Sequence, residues 1–391
     1  MKNIDKIGFF KENKEAKRRV LRALEETISS VLHQYDDVVS IILFGSLARK
    51  EGVWKREEGR LSIISDLDLL VITRKKRKLS KGLRRIVESI KEREGFEIDI
   101  RFICRDKLKG LIKDTHTFDE KEGITLWGED ITSEFPKFKE EDINIEDAIF
   151  LFFNRVILTL NSFPLSNIKS AHARRWLSHE ASKTMFTCAD LISIFYGKYF
   201  SSILERVKFA ETKLKSLNIP DRKAILEDLK IAVNFRFKEV NKVSINNAYD
   251  YWARSREHLI NIFTVLYTKS SRKGELRINE QELKSQLTSL YERKYNIKLK
   301  TTLYQVLKLL RSGNIPKLPG SITHYFVNCR MASLMLYVAV GKEGVRNDHV
   351  KKAEEYLSQV CFLPSKDKED MKEKWKFLRD KLVELYEAYI F

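Results

Sequence analysis

Two stretches decide the reading of this chain: "FGSLARK" at residues 44–50 and "SDLDLLV" at residues 65–71. The first follows "VVSIILF" (38–44), a β-branched apolar run of strand type. The second begins another strand, expected over 66–72, and puts two aspartates, Asp66 and Asp68, two positions apart. Side chains two apart on a strand share a face, so the two carboxylates repel each other and lose hydration together. Cations would make that arrangement tolerable, and an oxygen-rich site suits Mg²⁺ or Mn²⁺. The alternative is a strand end that simply faces water.

Gly45 and Ser46 stand between a strand and "LARK", a first helical turn. Gly lets a ligand approach the backbone, and free N–H groups at a helix start attract phosphate. Ser46 can cap the turn or donate its hydroxyl to a phosphate oxygen. An ordinary capped turn has the same sequence. A third carboxylate, Asp99, lies in "FEIDIRFI" (96–103), flanked by Ile98 and Ile100 on the next expected strand.

Working outward, residues 1–142 read as a mixed α/β domain. A helix is expected over 11–35, another in "KGLRRIVESIKERE", and an edge strand in "EGITLWGED" (122–130). From about 143 the pattern is helical, divided here into 143–270 and 271–391. Helices are expected at 145–162, 168–197, 201–217, 221–238, 244–269, 278–295, 299–312, 321–342, 346–360 and 366–389. The fold class is therefore α+β: a small mixed sheet followed by a mainly helical bundle region.

The chain has 391 residues, 43% hydrophobic and 33% charged, with a net charge of +18. Residues 1–140 carry 31 Lys/Arg against 26 Asp/Glu, and the remainder 42 against 29. Most of the positive field thus belongs to the helical region, which suits a polyanion or a basic, soluble surface. No apolar run is long enough to span a membrane. Four scattered cysteines without a CxxC pair fit neither structural zinc nor a disulfide framework, and a cytoplasmic location is expected. "RKKRKLSKGLRR" (74–85) has eight basic residues in twelve and no acidic one, as a phosphate contact or a solvated helix start.

The order "LFGSLAR", "SDLDLLV", "EIDIRFI" resembles the DNA polymerase β-like nucleotidyltransferase superfamily over roughly residues 15–130. The resemblance implies transfer of a nucleoside monophosphate from an NTP, ATP first, with release of pyrophosphate. It implies two Mg²⁺ ions, with Mn²⁺ as a substitute, held by Asp66, Asp68 and Asp99. It places Gly45, Ser46 and Arg49 on the nucleotide's phosphates. Nineteen residues separate Ser46 from Asp66, longer than the family's usual spacing, so an exposed loop or hairpin is expected near "WKREEGR". A following helical domain would close the nucleotide cleft, with Lys183 reaching the triphosphate and Tyr196 stacking on the base. For Tyr196 and Tyr199 the alternative is helix-end packing. Arg174 and His179 match the R-x4-H spacing of HEPN-domain ribonucleases, a pattern easily met by chance. The expected acceptor is RNA, such as tRNA. A small molecule (aminoglycoside or sugar), a protein hydroxyl (AMPylation), and a nucleotide- or nucleic-acid-binding module without turnover are the alternatives.

Overall fold

The computed structural model describes residues 1–57, 60–161, 170–237, 248–270, 280–295, 322–341, 344–361, 363 and 370–390. The helix expected at 299–312 lies outside them. The fold is α+β with a small mixed sheet. Two compact units divide it: Met1–Asp147 with Ala189–Asn246, and Ala148–Cys188 with Asn247–Phe391.

The first unit is built on helix α1 (Lys14–Gln34), strand β1 (Val38–Phe44), the single turn α2 (Gly45–Ala48), the hairpin β2 (Trp54–Glu57) and β3 (Arg60–Ile63), and β4 (Leu67–Thr73). Then follow α3 (Lys81–Glu94), β5 (Ile98–Cys104), α4 (Thr115–Lys121) and β6 (Ile124–Gly128). The main sheet has the order β5-β4-β1-β6. β1 pairs antiparallel with β4 and β6, while β4 and β5 run parallel across the α3 crossover. The expected hairpin near "WKREEGR" is β2–β3, and the expected edge strand is β6.

Alternation divides the sheet into two faces. Leu67, Leu69, Val71 and Ile98 join Ile41 and Leu43 in a core covered by α1 (Val20, Leu24, Ile28) and α3 (Leu83, Val87, Ile90). Leu70, Ile72 and Ile103 join Ile42 and Phe44 in a smaller cluster on the other face. With both faces covered, β1 is buried throughout, which is why its sequence is apolar at every position but Ser40. The covering helices are locally specified: Asn13 accepts the Ala16 N–H at the start of α1, and Ser80 the Leu83 N–H at the start of α3.

Glu94, at the end of α3, has a fully buried side chain. Arg22 lies 2.6 Å from its carboxylate, Arg93 3.1 Å and Arg19 3.3 Å. Burial alone would raise this carboxyl, but hydrogen bonds from Arg93, Arg22 and Arg19 overcome it and hold it below the ordinary range. Arg19 and Arg22 stand on α1, so Glu94 fastens the two helices that back the sheet.

The first unit also contains helix α7 (Ile203–Leu214) and α8 (Arg222–Phe237), which follow α5 (Ile145–Asn161) and the long α6 (Ala171–Phe195) in the chain. Among the described residues the second unit is helical apart from a two-residue pairing, Val340–Gly341 with Gly344–Val345. Phe152 and Phe263 stack at 3.8 Å in its core, and the Trp375 indole donates to the Leu336 carbonyl at 2.8 Å. Among the described residues no helix is long and apolar enough to cross a membrane. None of the four cysteines is in a disulfide.

A carboxyl whose folded-state pKa is held down by arginines contributes stability above the ordinary carboxylate range, and that stability is lost as pH falls through the depressed value. Glu94→Gln should therefore lower unfolding stability at pH 7 by about 3 kcal/mol in urea titrations. The gap to the wild type should narrow in acid, and equal stability at pH 7 would refute the role given to Glu94.

Candidate active site

β4 and β5 lie in a register that sets Asp68 directly beside Asp99, and across β1 the partner of Asp68 is Phe44. Directly paired residues share a face, so Asp68, Asp99 and Phe44 all lie on the side of the smaller apolar cluster. Asp66 comes two residues before Asp68, immediately ahead of β4. Asp66 and Asp99 are exposed and Asp68 is half-buried.

Asp68 is the strained member. Burial pushes its carboxyl up to about 7, and the charges on Asp66 and Asp99 push the same way; Arg49 and His116 oppose them. The three carboxylates thus act on one another, as the sequence suggested. Gly45 has φ +78°, and a Cβ placed on it would stand 2.2 Å from Asp68 Oδ2. Glycine is needed there twice over, for the left-handed backbone and for the close approach of the carboxylate. Ser46 is buried within α2, whose cap position is Phe44 rather than Ser46. The ordinary capped turn is therefore not what forms.

Arg49 follows α2 and is mostly buried. Its guanidinium lies 3.5 Å from Glu51 and 3.6 Å from Asp119. Glu51, itself buried, accepts from the Ser202 hydroxyl at 2.6 Å and from the N–H groups of Ile203 (3.2 Å) and Leu204 (3.4 Å). A carboxylate thus sits at the positive end of α7, where the free N–H groups favour it. Within the same unit Asp190 meets Arg206 at 2.6 Å, and the Arg206 guanidinium covers the Tyr199 ring at 4.8 Å. Tyr199 is buried edge-on against Phe118.

Tyr196 packs edge-on against Phe209, with the Lys213 ammonium 5.0 Å from its ring centroid. That is helix-end packing, the alternative reading of this tyrosine. Lys183 belongs to the second unit, 3.9 Å from Glu180 one turn earlier on α6. Arg174 and His179 also lie in the second unit, His179 beside the Trp176 ring.

Three residues near the carboxylates escaped the sequence reading. His116, in the first turn of α4, meets the Phe44 ring edge-on and holds Glu120 at 3.2 Å. Glu120 is wholly buried and also accepts from Arg101 at 2.5 Å. The hydrogen bond to Glu120 raises the pKa of His116 above its ordinary value, against the effect of burial. Two signals were available: Arg101 alternates with Asp99 on β5, and His116 and Glu120 are spaced i, i+4. The third is Arg236, at the end of α8. Burial lowers its pKa, while the charges of Glu51 and Asp66 oppose that shift. Nothing local in the sequence ties it to Asp66.

Among the described residues no group of three or more His, Cys, Asp or Glu side chains is gathered as a metal-holding cluster. A magnesium site does not require one, because this ion commonly takes one or two carboxylates and completes its shell with water and substrate phosphates. The raised carboxyl of Asp68 is the feature that a bound cation would relieve.

The unfolded Asp68 titrates at 3.8 and the folded one at about 7, so the ionised side chain costs stability above pH 7 and the cost fades as pH falls toward 3.8. In chelator, Asp68→Asn should raise the melting temperature at pH 8 by roughly 5 °C, with the gain vanishing in acid. No gain at pH 8 would remove the electrostatic account. Gly45→Ala should cost about 1–2 kcal/mol through the left-handed backbone and displace the Asp68 carboxylate. A scan against models of known protein families matched none of them and no curated protein matched the chain, so the geometry of these side chains is what bears on function.

Proposed function

We propose that this protein is a metal-dependent nucleotidyltransferase that moves a nucleoside monophosphate from an NTP, ATP first, to an acceptor hydroxyl. One observation carries the reading: a carboxylate raised toward neutrality, Asp68, lies against the Gly45 turn with Asp99 beside it in register. The three aspartates resemble those of the DNA polymerase β-like superfamily in order and in strand context, and the strand–turn–strand–helix–strand succession supports the same arrangement.

Asp66, Asp68 and Asp99 would hold Mg²⁺ or Mn²⁺, which supplies Lewis acidity toward the attacking hydroxyl and offsets the charge of the triphosphate. The remaining contributions come from the chain. Gly45 lets the polyphosphate approach the backbone, and the N–H groups of the α2 turn face its negative charge. Ser46 and Arg49 stand at the same turn. The acceptor oxygen forms a bond to the α-phosphorus as the bond to the bridging oxygen breaks, and pyrophosphate leaves with that oxygen. The hydroxyl proton passes to solvent or to a carboxylate of the site.

The positive balance of the chain favours RNA, such as tRNA, as the acceptor. A small-molecule alcohol or a protein hydroxyl would show itself in the test. Incubation with each labelled NTP, Mg²⁺ and separated RNA, protein and metabolite fractions should label the RNA. Asp66→Ala, Asp68→Ala and Asp99→Ala should each cut pyrophosphate release to about a hundredth or less. Unchanged release in the variants would exclude this site. If the wild type consumes no NTP with any fraction, a nucleotide- or nucleic-acid-binding module without turnover is the better reading.

A further inference from the structure

The end of β4 opposite to the aspartates runs into the basic stretch 74–85. We infer that this stretch is a preorganised platform for a nucleic-acid backbone, and that it holds the acceptor RNA at a distance from the reacting hydroxyl. The inference rests on the nucleotidyltransferase reading for the identity of the RNA as acceptor.

The first support is the backbone of the stretch, which is pinned at several points. The Asp37 carbonyl accepts the Arg74 N–H at 2.9 Å, and its carboxylate accepts the Lys75 N–H at 3.0 Å. Thr73 donates its hydroxyl to the Lys75 carbonyl at 2.7 Å, and the Cys104 thiol reaches the Arg74 carbonyl at 3.1 Å. The Tyr35 hydroxyl donates to the Lys78 carbonyl at 2.8 Å and accepts from the Ser80 N–H at 3.0 Å. Tyr35 is itself buried against Phe102. A loop fixed by so many partners presents its side chains without a large ordering cost on binding.

The second support is charge. Asp37 engages Arg77, at 2.9 Å. Arg74, Lys75, Lys76, Lys81, Arg84 and Arg85 are all exposed, and none has a carboxylate within ion-pair distance among the described residues. Three of the six are arginines, whose planar forks match phosphate. The apolar members of the stretch, Leu79 and Leu83, are turned toward the core behind the sheet. No exposed large hydrophobic side chain lies between 74 and 85. A surface made for membrane insertion would carry apolar anchors among its cations, so a hydrated polyanion fits better.

The third support is distance. From Asp68 to Thr73 the strand covers roughly 17 Å at its ordinary rise per residue. One nucleotide cannot touch both ends of β4, whereas a folded RNA can.

The test measures binding of the full chain to end-labelled bulk tRNA by fluorescence anisotropy, across a salt series and without NTP or metal. The variant carries Lys75→Gln, Lys76→Gln, Lys81→Gln and Arg84→Gln, all at exposed positions, with its fold checked by circular dichroism and melting. The logarithm of the wild-type affinity should fall steeply with the logarithm of salt concentration. In the variant the slope should shrink by about three, and tRNA affinity at low salt should fall by about tenfold or more. A labelled dinucleotide should bind both proteins alike. Equal tRNA affinity and slope in wild type and variant would overturn the inference. So would patch-dependent binding to phosphatidylserine vesicles together with patch-independent binding to tRNA. Because turnover is not measured, failure of the nucleotidyltransferase reading leaves the binding result standing. Transfer to RNA with patch-independent affinity would remove the platform alone.

Discussion

The Asp68 carboxylate lies against the backbone of Gly45 so closely that no side chain at position 45 would leave it room. That contact requires β4 and β1 to meet in one register, Phe44 against Asp68, and the chain to leave β1 through a left-handed turn. The same register decides which residues of β4 face α1 and α3 and which face the smaller cluster. A slip of one residue would carry Asp68 into the core and Leu67 and Leu69 out of it. Burial of the apolar set therefore enforces the position of the carboxylate, and the turn geometry follows.

The electrostatic cost of that position is local. Asp68 is raised chiefly by lost hydration, with its two neighbours adding to it. Arg49 could relieve it fully only by abandoning Glu51 and Asp119, and Glu51 is committed to the start of α7. The arginine is thus shared among three acidic groups rather than assigned to one. His116 is likewise directed to Glu120, which Arg101 also holds. Asp68 stays raised toward neutrality because Arg49 and His116 are also engaged elsewhere.

The strands, their alternation and the three aspartates were legible in the sequence because each depends on period-2 patterning within a few residues. The hairpin between Ser46 and Asp66 was legible as an excess of chain between two fixed points. What stayed hidden depends on contacts between distant positions. Glu51 caps a helix about 150 residues away, as its bond to Ser202 shows. Arg236 reaches the electrostatic neighbourhood of Asp66 from the end of α8. Tyr196 looked available for stacking because one sequence does not show which ring faces Phe209. His116 and Glu120 had a local signal in their spacing, but it acquires meaning only when α4 meets Phe44.

Strand direction separates two charges that would otherwise cancel. The acidic residues stand at the start of β4 and seven exposed cations follow its end, roughly 17 Å of extended strand away. At physiological ionic strength the screening length is about 8 Å, so the cations of the basic stretch act only feebly on Asp68 through solvent. Arg49 and His116, by contrast, are close enough to lower its pKa. Had the lysines of 74–85 bordered the aspartates, they would have stabilised the ionised carboxylates directly and competed with a metal for them. Placed beyond the screening length, they can attract a polyanion to the same unit without stabilising the ionised Asp68 carboxylate directly.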